Sequence, residues 1–140
     1  MISLKILKDK ELTIMCFRDK ITPEMVMKFI NSLVQEPEYN PEYNAIIDLR
    51  SADMQYDMEG LKKTLNHMLT AEGFRSTRKS AYITSSSNQV VPPMMMNTLG
   101  YEFPMKVKVH STVESAIAWL EIEDFTPENF QAVLSTMCDR

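Results

Sequence analysis

The run Ala45-Ile46-Ile47-Asp48-Leu49-Arg50 constrains the fold more than any other stretch of the chain. It is short and nearly continuously apolar, without the alternation of a strand that keeps one face in water. Such a run reads as a central strand buried on both sides, which calls for helices on the sheet. The flanking sequence supplies them. In Ile21-Thr22-Pro23-Glu24, Thr22 can cap a helix, Pro23 takes the first helical position, and Glu24 suits the positive dipole end. Ile21 and Val26 are spaced as a hydrophobic staple. Met25, Val26, Phe29, Ile30, Leu33 and Val34 then recur at helical spacing until Pro37. A second helix is expected from about Asp57, with Met58, Leu61, Leu65, Met68 and Leu69 on one stripe and Gly73 as its stop.

The remaining segments follow the same grammar. Ser3 to Lys8 and Glu11 to Arg18 alternate, with Asp9-Lys10 between them, and predict an antiparallel hairpin whose apolar faces are Leu4, Ile6 and Leu12, Ile14, Cys16. Lys79 to Thr84 and Met105 to Val109 are further strands. Ser85-Ser86-Ser87-Asn88 is a polar turn, and a short helix is expected from Pro92 or Pro93 to Gly100, because a residue before proline avoids helix. Ser111-Thr112-Val113-Glu114 reads as a capping box ahead of Val113, Ala116, Ile117 and Leu120. Phe125-Thr126-Pro127-Glu128 opens a last helix. The duplicated Pro-Glu-Tyr-Asn at 37–40 and 41–44 is too short to be an architectural repeat. Strand–helix alternation after a hairpin predicts an α/β fold: a small mixed sheet with helices on both faces. One domain over 1–121 is expected, with 122–140 as a C-terminal helical extension.

Composition excludes several classes. The 140 residues carry a net charge of −4, which disfavours binding to phosphate backbones, so no nucleic-acid partner is expected. No apolar run approaches the roughly 20 residues of a membrane span, and Met1 to Lys8 lacks the apolar block of a signal peptide. Cys16 and Cys138 fit no disulfide or zinc spacing, and a reducing cytoplasm is expected. His67 and His110 stand in no catalytic motif. Asp53, Asp57 and Glu59 lack an EF-hand loop, so no metal and no cofactor are expected. Arg75-Ser76-Thr77-Arg78-Lys79 reads as a solvated basic face.

Three stretches resemble the SpoIIAA-like family, relatives of the STAS domains of anti-sigma-factor antagonists. They are the hairpin leading into Ile21-Thr22-Pro23-Glu24, the central run 45–50, and Val113-Glu114-Ser115-Ala116-Ile117-Ala118-Trp119-Leu120 with its closing Ala-Trp-Leu. The resemblance covers about residues 3–121 and implies a regulatory or interaction module rather than an enzyme. Antagonists of that family carry Asp-Ser-Ser-Gly-Leu at the helix after the central strand, and a partner kinase phosphorylates the second serine. The matching stretch here is Asp57-Met58-Glu59-Gly60-Leu61. Both serines are gone, and Glu59 stands where the phosphate would be. The family is also similar to the CRAL-TRIO lipid-binding fold, which keeps a second reading open: a carrier of an apolar small molecule or lipid.

Three further groups are candidate surfaces. Ser85, Ser86, Ser87 and Asn88 follow a strand, where open α/β sheets place ligands. Met94, Met95 and Met96 belong to an unusual complement of 12 methionines, and three consecutive helical positions cannot share one buried face. Phe130, Val133, Leu134 and Met137 form the apolar edge of the last helix. With the family's core complete by Leu120, that edge is expected to fold back or to meet a partner, a two-fold homodimer being the favoured assembly.

Overall fold

The computed structural model describes residues 1–98 and 103–138. The opening alternation forms the expected hairpin, β1 (Ile2–Leu7) antiparallel to β2 (Leu12–Ile21). The connection has no glycine, so Glu11 itself adopts the left-handed backbone, φ 50° and ψ 50°. The chain continues through α1 (Pro23–Leu33), β3 (Asn44–Met54), α2 (Met58–Thr70), β4 (Lys79–Ile83), α3 (Ser87–Thr98), β5 (Lys106–His110), α4 (Val113–Leu120) and α5 (Pro127–Cys138). The strands lie in the order β1-β2-β3-β4-β5, and β2 to β5 are parallel. This is the predicted mixed α/β sheet.

The sequential order decides where the helices go. A right-handed crossover to the next strand, repeated in one direction, always lands on the same face. Accordingly Val26, Ile30 and Leu33 of α1, Leu61, Leu65 and Met68 of α2 and Met96 of α3 share one core with Met15, Phe17, Ile47 and Leu49 of the sheet. The other face holds Leu12, Ile14, Cys16, Ile46, Ala81 and Ile83, and only the helices after β5 remain to cover it. Ala116, Ile117 and Leu120 of α4 and Phe130 and Leu134 of α5 do so. The core is therefore not complete at Leu120. Phe130 is 0% exposed and Leu134 7% within this chain, so these two need no partner molecule to cover them.

Several sequence expectations are corrected. The two apolar sets of the hairpin lie on opposite sides of the sheet: Leu4 lies opposite Met15, and Leu12, Ile14 and Cys16 belong to the other core. β2 is buried on both faces because α1–α3 cover one and α4 and α5 the other. β3 runs on to Met54, its last residues pairing with β2 beyond a register shift. Thr112, not Ser111, caps α4, accepting from Ser115 N at 3.1 Å. Met58 is half exposed, off the buried stripe of α2. α3 begins at Ser87, so Pro92 and Pro93 lie inside it. Gln89 explains the early start. Its Oε1 accepts from the backbone N–H groups of Ser85 (2.6 Å) and Ser86 (3.2 Å), and its Nε2 donates to the carbonyls of Arg50 and Ala52. These contacts to β3 outweigh the local preference of the residue before proline. The expected end of this helix at Gly100 and the side chain of Cys138 lie outside the described residues.

Candidate functional site

Two places bring candidate residues together. The first is the corner where α1 and α2 begin. Asp57 has the extended backbone of an N-cap, and its Oδ1 accepts from Gly60 N at 2.7 Å. Thr22 caps α1 in the same way, accepting from Met25 N at 3.3 Å. The two helix starts touch at Gly60. A Cβ added there would lie 2.7 Å from Cγ of Pro23, so the close approach requires glycine. Leu61 is buried in the core below, whereas Asp57 and Glu59 are exposed. Thr22, Glu24, Gln55, Tyr56 and Lys63 complete an open polar groove around them. The Asp57, Glu59 and Gly60 of the sequence reading thus sit together, with Asp57 and Gly60 in architectural roles and Glu59 facing outward.

The second place is an apolar cavity of about 70 Å³ between the sheet and α1–α3. Met15, Met54, Met68, Met96 and Met105 are among its walls, with Phe17, Phe29, Tyr56 and Tyr82. The predicted methionine tract divides here as its periodicity requires. Met96 is buried, Met95 packs against the core, and Met94 is 49% exposed. The tract and α5 lie on opposite faces of the sheet, so they form no common patch.

The other candidates are accounted for by internal contacts. Ser85 Oγ donates to the Arg50 carbonyl at 3.0 Å, Ser86 Oγ donates to Asn88 Oδ1, and the Ser85 and Ser86 amides are taken by Gln89. Ser87 and Asn88 are the first turn of α3. Val133 and Met137 are half-buried beside Phe130 and Leu134 in the second core. His110 is buried, with Nδ1 2.7 Å from Ser115 Oγ and Nε2 without a partner. Burial, aided by Lys108, holds it below the usual histidine range. Among the described residues no group of three or more His, Cys, Asp or Glu is placed to hold a metal ion.

Sequence reasoning missed Arg78. The basic cluster 75–79 reads as solvated in sequence, but Arg78 is 6% exposed and lines the cavity. Strand parity carried the signal: Arg78, Ser80 and Tyr82 alternate onto the face that packs under the helices.

The five-stranded mixed sheet, three crossover helices on one face and two closing helices on the other define a SpoIIAA-like fold. A crystal structure with that fold is similar over most of both chains. It is an uncharacterized protein of the DUF3478 family from Shewanella loihica PV-4, with a TM-score of 0.58 and 19% identity, over 86% of this chain and 92% of that one. No family model and no curated protein matches the sequence. Among the described residues no helix is long and apolar enough to cross a membrane.

Proposed function

We propose that this chain is a non-catalytic regulatory and protein-interaction module of STAS type, working through the corner where α1 and α2 begin. The observation that carries this reading is the packing of that corner. Asp57, Gly60 and Leu61 hold the helix start in place, and Glu59 is exposed on it, at the position that the resemblance to STAS antagonists matches to their phosphoserine. A phosphoserine adds about −1.5 to −2 charges when present and none when absent. Glu59 has no hydroxyl to be modified, so this corner presents one constant state to a protein partner or to a second copy. An anti-sigma-type kinase finds no hydroxyl at positions 57–61 and should add no phosphate there.

Photo-cross-linking in the protein's own cells tests the reading. A cross-linker at Lys63, which lines the corner, should give a discrete protein adduct that Glu59→Lys abolishes. A cross-linker at Glu128 on α5 should give none. Equal adducts from both positions, or none from Lys63, would refute the assignment.

A second reading, a carrier of an apolar small molecule, is favoured by the methionine-walled cavity. Native mass spectrometry of protein from its own cells tests it alongside the homodimer. A retained apolar compound supports the carrier, and an unliganded monomer counts against both.

A further inference from the structure

Arg78 is a buried cation without a counter-ion among the described residues. The ion pairs among the described residues are Lys8–Glu38 and Arg50–Asp48, and neither involves it. Its partners are neutral. Nη1 donates to the carbonyls of Phe74 at 2.7 Å and Pro41 at 3.1 Å and to Ser76 Oγ at 3.3 Å. The guanidinium carbon lies 4.6 Å from the centroid of the Phe74 ring. All the hydrogen bonds of the side chain leave from Nη1, so Nε and Nη2 have no protein acceptor among the described residues. A buried charge is stable only when paired or fully hydrogen-bonded. Here half of the guanidinium fork has no protein partner, on a side chain that forms part of an apolar cavity wall, and its two nitrogens are not among the fully enclosed unpartnered atoms of the described residues.

Two phenols share the neighbourhood. Tyr39 Oη is buried and has no partner among the described residues. Among the described residues Tyr82 Oη reaches only the weakly accepting Met96 Sδ, at 3.8 Å. Burial raises both phenols, Tyr82 to about 12, and the positive charge of Arg78 opposes it in each. Arg78 and Tyr82 both line the cavity, and among the described residues no acidic side chain lines it. Ser80 and Tyr82 lead from Arg78 along the same face of β4, beneath Met96 of α3.

We propose that the cavity receives an apolar carboxylic acid, its carboxylate on the Arg78 guanidinium and its hydrocarbon part between the sheet and α3. The proposal rests on the second reading above, that the cavity is a ligand site. The unused Nε and Nη2 form the planar fork that a carboxylate accepts from bidentately. The 70 Å³ cavity is about half the roughly 150 Å³ of an engineered cavity that holds benzene, so wall side chains must turn aside to admit a ligand. Methionines, unbranched and flexible, are the side chains suited to that.

Calorimetric titration of the full chain with octanoate, 1-octanol and octylamine at pH 7 tests this. Octanoate should bind saturably, one per chain, and about tenfold or more tighter than 1-octanol, with octylamine weakest. Met96→Trp, which fills the wall, should abolish octanoate binding. Arg78→Met should equalise the acid and the alcohol. Should that variant not fold, the comparison of the three probes on the unaltered chain still decides. If 1-octanol binds as tightly as octanoate, the assignment of Arg78 is overturned while the cavity remains a ligand site. If no probe binds, or Met96→Trp binds octanoate unchanged, the cavity is not the site and the proposal falls with it.

Discussion

Replacing Gly60 by alanine sets two opposed effects against each other. Gly60 sits in the first turn of α2, and alanine there should favour the helix by about 1 kcal/mol through lower backbone entropy in the unfolded chain. The same methyl would lie 2.7 Å from Cγ of Pro23 and 3.0 Å from Oδ1 of Asp57. Pro23 is in a ring, buried at the start of α1, and cannot swing away as a flexible side-chain end would. Forcing a methyl into a packed contact costs about 1–3 kcal/mol. The overlap should win, leaving Gly60→Ala less stable by about 1 kcal/mol. Urea unfolding should show a lower midpoint at unchanged slope. In a Pro23→Ala background the obstructing Cγ is gone, and the same substitution should become neutral or stabilising. The cycle then gives a coupling of about 1–2 kcal/mol. If Gly60→Ala stabilises the native background by its full helix propensity, or costs the same with and without Pro23, the packing account of this glycine is wrong.

Other expectations follow from the same contacts. Asp57→Ala removes the cap on Gly60 N and should cost about 1 kcal/mol in chemical unfolding; an unchanged midpoint would remove the cap assignment. Phe130→Ala opens a cavity at a fully buried site and should cost about 3–5 kcal/mol. Truncation after Asp124 should lower the thermal midpoint whatever the subunit number, because α5 covers this chain's own sheet; an equal midpoint would show the helix to be dispensable. His110 is held below its unfolded value of about 6.5, so the folded state binds fewer protons than the unfolded one in that range. Its contribution to stability is present above about pH 6.5 and lost as pH falls through that value toward the folded pKa. His110→Gln should therefore flatten the stability profile below about pH 6.5 relative to the unaltered chain.

What was legible in the sequence was written by neighbours a few residues apart. The caps Thr22 and Asp57, the stripe of α1, the central run 45–50 and the alternation of the hairpin are set by side-chain reach and backbone period, and the structure keeps them. The impossibility of burying Met94, Met95 and Met96 together is likewise a property of helical pitch. The tertiary structure alone decided the rest. Strand order places α1–α3 on one face, and that turns α5 from an extension into the cover of the other. Contacts from Gln89 to β3, 37 and 39 residues away in sequence, start α3 ahead of its prolines. Arg78 lies in a basic stretch that reads as solvated. It becomes a buried cation beside a cavity because the loop at Pro41 and the turn at Phe74 close over it. Such burial depends on segments far apart in the chain meeting in space, and no local pattern of charge or hydropathy encodes it.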